Sequence, residues 1–132
     1  MSKVIHSMIR VLNLDKSLKF YDEVFGLKPV HRLPFPSFEL VYLRNAQNDF
    51  EIELTLNRDR TEPYTHGDGY GHIGVCVPDV RADRERLLKL GYAPLDTKEF
   101  KADDGSLIAR YFFIQDPDGY KIEVLERHGH YQ

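Results

Sequence analysis

Residues 4–57 and 71–126 of this chain carry the same order of signals twice, and no other feature restricts the fold as much. In the first stretch, Val4 to Leu12 reads as a strand. Leu14 to Phe25 reads as a helix, with Asp15 near its start, Leu14, Leu18, Tyr21 and Phe25 on one stripe, and Gly26 as its stop. Strand patterns follow at Lys28 to Leu33, Phe38 to Arg44 and Phe50 to Leu56. In the last of these Phe50, Ile52, Leu54 and Leu56 alternate with Glu51, Glu53 and Thr55. The second stretch repeats the scheme: a strand from Gly71 to Val77, a helix from the cap Asp79 to Leu90 with Gly91 as its stop, and strands at Tyr92 to Thr97, Leu107 to Ile114 and Tyr120 to Glu126. Asp116-Pro117-Asp118-Gly119 is a tight-turn signal between the last two. A fixed self-similar period marks a duplicated structural unit. The expectation is therefore an α+β fold of two βαβββ repeats, about residues 1–57 and 70–127, joined by the polar segment from Asn57 to Tyr70 into one domain over 1–132. Each repeat is too small to bury its own sheet alone, so the halves are expected to pair within a chain or across a dimer.

Composition narrows the class of partner. Apolar residues make up 42% of the 132 positions and charged residues 30%, with a formal net charge of −3. That balance offers nothing to attract nucleic acid or an anionic membrane. No apolar run approaches the ~20 residues that cross a bilayer, and the N-terminal residues lack a secretory pattern. Cys76 is the only cysteine, flanked by Val75 and Val77, so no internal disulfide can form and a reducing cytoplasm is the expected compartment.

Four positions carry the chemistry. His6 and Glu53 belong to the first repeat, His72 and Glu123 to the second, all within strand-like runs. A lone histidine on a strand is usually satisfied by ordinary hydrogen bonds, and a strand glutamate can simply face solvent, as Glu51 and Glu126 are free to do. The same His and Glu order in both repeats favours a divalent metal site of mixed nitrogen and oxygen donors. An octahedral ion with four protein ligands keeps two positions for a chelating substrate, which suits a Lewis acid acting on a carbonyl beside an acidic C–H bond. Arg10 lies four residues beyond His6 on the same strand face, about 13 Å along, and Asn57 lies four beyond Glu53. An arginine and an amide so displaced suit a substrate carboxylate; a surface arginine and a turn asparagine are the plainer alternative.

At these residues the chain resembles the glyoxalase I (lactoylglutathione lyase) family of the vicinal oxygen chelate superfamily. The matching stretches are His6-Ser-Met-Ile-Arg10-Val, Phe20-Tyr21 with Gly26-Leu27, Glu53-Leu-Thr-Leu-Asn57, Tyr70-Gly-His72-Ile and Asp116-Pro-Asp-Gly-Tyr-Lys-Ile-Glu123, which together cover essentially the whole chain. The resemblance implies curved mixed sheets from paired βαβββ modules and metal sites at a homodimer interface. It implies His6, Glu53, His72 and Glu123 as ligands of one divalent ion per site, Ni2+ or Co2+ in preference to Zn2+ in a chain this short. It further implies Arg10 and Asn57 as contacts to the glutamyl end of glutathione, with Lys101 the one match to a basic cluster that holds the glycyl carboxylate. Glu123 is implied as the base that converts the methylglyoxal–glutathione hemithioacetal to S-lactoylglutathione through an enediolate. Where some relatives have an arginine four residues before the third ligand, this chain has Asp68, and the loop from Arg58 to Gly69 is unusually charged. Two other readings keep the fold: a thiol transferase or epimerase with three protein ligands, against which Glu53 counts, and a sequestering protein without metal ligands, against which all four count.

Overall fold

The computed structural model describes residues 1–132. The chain divides into two compact units, Met1–Thr65 and His66–Gln132, and each has the same order of elements. In the first, β1 (His6–Val11), α1 (Leu14–Phe25), β2 (Lys28–Pro34), β3 (Phe38–Arg44) and β4 (Glu51–Asn57) form a four-stranded sheet of order β1-β4-β3-β2 with one helix. In the second, β5 (Ile73–Val77), α2 (Val80–Lys89), β6 (Lys98–Lys101), β7 (Leu107–Gln115) and β8 (Lys121–Glu126) form a sheet of order β5-β8-β7-β6. The first strand of each unit runs parallel to the last, and the remaining pairs are antiparallel. These are the two βαβββ repeats expected from the sequence. No helix is long and apolar enough to cross a membrane.

The helices form where local chemistry closes their ends. Asn13 caps α1, its side chain accepting from the Lys16 amide at 3.0 Å, and Asp15 lies in the first turn as expected. At the other end Gly26 takes φ 64°, and the Gly26 and Leu27 amides donate to Asp22 and Tyr21 carbonyls. This left-handed closure suits glycine because it lacks a Cβ. The inward stripe of α1 is Leu14, Ser17, Phe20, Tyr21 and Val24, so of the expected stripe only Leu14 and Tyr21 are fully buried, while Leu18 and Phe25 are half-buried at its flanks. Ile9 and Val11 of β1, Val41 and Leu43 of β3, and Ile52 and Leu54 of β4 are the buried face of the sheet. Strand alternation therefore sends the other face of the same strands away from this core, and that face carries His6, Arg10 and Glu53.

In the second unit Asp79 caps α2, accepting from the Arg81 and Ala82 amides. Glu126 adds to this cap: its Oε2 accepts from the Val80 amide at 3.2 Å while its Oε1 takes a 2.6 Å bond from Arg110. It is not a solvent-facing strand glutamate. A carboxylate at a helix N-terminus meets unpaired amides and the positive end of the helix dipole. The turn between β7 and β8 forms as its sequence indicates. Asp116 Oδ1 accepts from the Asp118 and Tyr120 amides, and Gly119 sits at φ 84°.

One strand lies elsewhere than its pattern suggested. Tyr92 to Thr97 is irregular, and the strand is β6, Lys98–Lys101. The Tyr92 amide is consumed by the end of α2, bonding the Leu87 carbonyl, Pro94 has no amide to offer, and only the Leu95 amide reaches β7, at Phe113. Pairing with β7 becomes regular only from Lys98, opposite Tyr111.

A buried carboxylate also ties β2 to β3 and to the end of β4. Glu39 accepts from Arg32 at 2.7 and 3.0 Å and from Arg58 at 3.3 Å. The hydrogen bonds from Arg32, helped by the charge of both guanidinia, hold its pKa below the usual glutamate value against the opposing effect of burial. A carboxyl whose pKa is depressed on folding adds stability that is complete above its unfolded value, near 4.3, and lost as pH falls through the lower folded value. Glu39→Gln is therefore expected to cost about 1 kcal/mol at neutral pH, since both arginines are near half-exposed and screened. It should also flatten the acid side of the stability profile below pH 4.3, as read by urea unfolding at several pH values. An unchanged acid limb would exclude Glu39 as its source.

Candidate metal centre and substrate cleft

His6 opens β1, and Glu53 lies in the middle of β4, next to the position of Met8 in the parallel register. His6 and Met8 share a strand face, so the imidazole is brought over Glu53: His6 Nε2 stands 3.3 Å from Glu53 Oε2. The second unit repeats the construction. His72 stands just before β5, two residues ahead of Gly74, which pairs with Glu123 of β8. His72 Nε2 stands 2.9 Å from Glu123 Oε2. The positions that the sequence singled out are thus drawn together in two pairs, one in each unit. Glu53 is 7% exposed and belongs to the few buried charged groups of the chain. A carboxylate so buried needs a cationic, metal or hydrogen-bonding partner.

Nitrogen and carboxylate oxygen in this proportion suit a borderline divalent ion. Each pair offers two donors, and no group of three or more His, Cys, Asp or Glu side chains that could hold a metal comes together in the chain. A four-donor centre therefore needs both kinds of pair. The donor chemistry of each pair fits a divalent ion.

Aromatic rings flank both pairs. The Tyr42 ring meets His6 edge-on at 5.5 Å, and Phe113 meets His72 in the same way at 5.3 Å. Tyr42 is directly opposite Glu53 across β3 and β4, and its hydroxyl donates to Glu53 Oε1 at 2.9 Å. Burial, and then the hydrogen bond and charge of Glu53, push the Tyr42 hydroxyl above its ordinary pKa and keep it a donor. The sequence reading missed Tyr42. It is visible only once β3 and β4 are set in register.

Arg10 and Asn57 come together as the sequence suggested. With Asp59, Arg60 and Tyr64 they line a cleft of about 380 Å³ in the first unit. Asn57 Nδ2 donates to the Tyr64 hydroxyl at 3.2 Å, and the Arg60 guanidinium lies 4.4 Å over the Tyr64 ring. Arg60 also donates to the Glu62 and Pro63 carbonyls, which fixes the loop that walls the cleft. Two guanidinia and an amide around one opening have the donor chemistry that suits a carboxylate, with the acidic Asp59 beside them. The unusual charge of the Arg58–Gly69 loop was the only sequence signal for Arg60 and Asp59.

Lys101 belongs to the second unit. It ends β6, at the far edge of its sheet from β5, and its ammonium lies 3.4 Å from Glu99. Cys76 is partly covered, with Sγ 3.7 Å from the Tyr131 carbonyl.

The comparisons with known proteins agree with this architecture. The family model of the Glyoxalase/Bleomycin resistance protein/Dioxygenase superfamily matches residues 3–124. The chain is similar to the lactoylglutathione lyase of Neisseria meningitidis, serogroup A, at 37% identity over 129 residues, 95% of this chain and 91% of that protein. It is similar to the lactoylglutathione lyase of Haemophilus influenzae at 35% identity over 128 residues, 94% and 92% of the two chains. Among solved structures, the trypanothione-dependent glyoxalase I of Leishmania major superposes with a TM-score of 0.76 at 33% identity, over 96% of this chain and 87% of that one. With its two βαβββ units and a family match running over almost its full length, the chain belongs to the glyoxalase, bleomycin resistance protein and dioxygenase superfamily.

Proposed function

We propose that this protein is a metal-dependent lactoylglutathione lyase that converts the methylglyoxal–glutathione hemithioacetal to S-lactoylglutathione. The observation that carries this reading is the recurrence of one His–Glu pair at the same register position in both units. Relatives bearing that name at 35% and 37% identity over more than nine-tenths of both chains support it. His6, Glu53, His72 and Glu123 hold the ion, Ni2+ or Co2+ in preference to Zn2+. When bound, the ion stabilises negative charge on the adjacent oxygens of the substrate. Arg10 and Asn57 take the glutamyl carboxylate in the cleft that they line, and Lys101 meets the opposite, glycyl end.

The chemistry is an internal proton transfer. The Glu123 carboxylate removes the proton from C1 of the hemithioacetal, and the electron pair of that C–H bond passes into the enediolate. The protonated Glu123 then returns the proton to C2, while the proton of the C1 hydroxyl passes to the C2 oxygen, giving the thioester and the C2 hydroxyl with no net gain or loss of electrons. Each unit supplies two ligands. In keeping with the family resemblance, which implies metal sites at a homodimer interface, the active species is a homodimer in which His6 and Glu53 of one chain meet His72 and Glu123 of its partner. The lone thiol, with no disulfide to preserve, fits a reducing cytoplasm.

The test is metal content after purification, followed by the ultraviolet assay of thioester formation from methylglyoxal and glutathione. Stoichiometric divalent metal and turnover that chelation abolishes are the expected results. A metal-free, inactive protein would overturn the reading. Arg10→Ala should raise KM for the hemithioacetal about 10- to 100-fold with metal content unchanged, as expected for loss of a charged hydrogen bond. Loss of metal without a change in KM would move Arg10 from the substrate to the metal.

A further inference from the structure

The two His–Glu pairs share one register, with the histidine two residues ahead of the position paired to the glutamate, but the rings opposite the two glutamates differ. Tyr42 stands opposite Glu53, and Phe113 stands opposite Glu123. Both rings meet their histidine edge-on at nearly the same distance, 5.5 and 5.3 Å. Only the first ring carries a hydroxyl, and it donates to Glu53 Oε1 at 2.9 Å while Glu53 Oε2 faces His6 at 3.3 Å. Both oxygens of Glu53 are therefore engaged, and its side chain is among the buried charges of the chain. The Glu123 carboxylate meets His72 through Oε2 at 2.9 Å, and the ring opposite it has no hydrogen to donate. Its side chain is also the more exposed of the two, at 19% against 10%.

The geometry points to Tyr42 as a positioning residue that clamps Glu53 as the fixed carboxylate, while Phe113 leaves Glu123 as the carboxylate free to turn. A ligand oriented by a hydrogen bond to its second oxygen gives up little rotational freedom when it binds an ion, and removal of such a partner commonly costs about 10- to 100-fold in metal affinity. A carboxylate that must take a proton from carbon and hand it to the next carbon has the opposite requirement: it has to move between two atoms. The exchange of Tyr42 for Phe113 at the position opposite the glutamate divides these roles between the two repeats. The inference rests on the metal-dependent lyase reading above.

Its test uses the full-length protein and two conservative variants, Tyr42→Phe and Phe113→Tyr, with metal affinity measured by chelator competition and turnover measured at saturating metal. Tyr42→Phe should weaken metal binding about 10-fold or more and leave kcat at saturating metal within about 3-fold of the parent. Phe113→Tyr should do the reverse, lowering kcat about 10-fold while metal binding is unchanged or tighter, because the new hydroxyl ties down Glu123. This split between affinity and kcat is one that a merely structural role would not produce. Metal affinity of Tyr42→Phe within 2-fold of an active, metal-binding parent would overturn the clamp, and an unchanged kcat in Phe113→Tyr would overturn the division of roles. A parent protein that binds no divalent ion would instead sink the lyase reading, and the clamp with it.

Discussion

Glu123→Gln should lower kcat by about 10²- to 10⁴-fold at saturating metal, the range that a positioned general base supplies. The amide keeps an oxygen donor of the same size at the same place in β8, so the fold and part of the metal affinity survive. What it lacks is basicity, and the reaction needs a group that takes the C1 proton and returns it to C2. The surroundings of Glu123 suit a mobile base, since it lies opposite Phe113 and meets only the imidazole of His72. Glu53→Gln offers the internal comparison, with metal content falling further and the residual metal-loaded enzyme retaining more of its kcat. Rates measured at several metal concentrations separate the two effects. A Glu123→Gln enzyme turning over within 3-fold of the parent would transfer the role of base to another group.

Two inactive chains should restore one another. His6→Ala breaks the pair in the first unit, and His72→Ala breaks the pair in the second. If each centre draws His6 and Glu53 from one chain and His72 and Glu123 from its partner, a mixed dimer has one centre with both lesions and one with none. Random mixing after reversible dissociation makes half of the dimers mixed, so activity should return to about one quarter of the parental value. Each parent alone should stay near zero. No recovery, under conditions where exchange of labelled chains is demonstrated, would mean that both units of one chain build the same centre. Sedimentation as a monomer at micromolar concentration would lead to the same conclusion.

Much of this architecture was legible beforehand because the signals are local. The Gly26 closure of α1 and the alternation in β4 each lie within one element, and the helix bounds Leu14–Phe25 match the sequence expectation to the residue. The turn at Asp116 to Gly119 likewise depends on residues within itself. Repetition of those local signals was enough to indicate two βαβββ units, and the matched His and Glu positions indicated which side chains to compare. The misplacement of β6 has the same root. Tyr92 to Thr97 has strand-like composition, but its first amide is taken by the end of α2, a competition that composition does not display.

What remained hidden depends on which residues face one another across strands. Strand alternation alone puts His6 and Arg10 on one face, and Glu53 on one face of its own strand, and says nothing of which neighbour lies opposite. Register decides that Tyr42 meets Glu53 while Phe113 meets Glu123, and that Glu126 reaches both Arg110 and the first turn of α2. The cleft likewise required a loop to fold back so that Arg60 and Tyr64 joined Arg10 and Asn57. The sequence by itself determined the repeated βαβββ order, the Gly26 stop of α1, the Asp116–Gly119 turn and which histidines and glutamates recur in both repeats, because periodicity and turn chemistry are properties of contiguous residues. The tertiary structure alone decided the partners of each donor, the hydroxyl on one glutamate and not the other, and the walls of the cleft, because these follow from strand register and loop path, which bring together residues far apart in the chain.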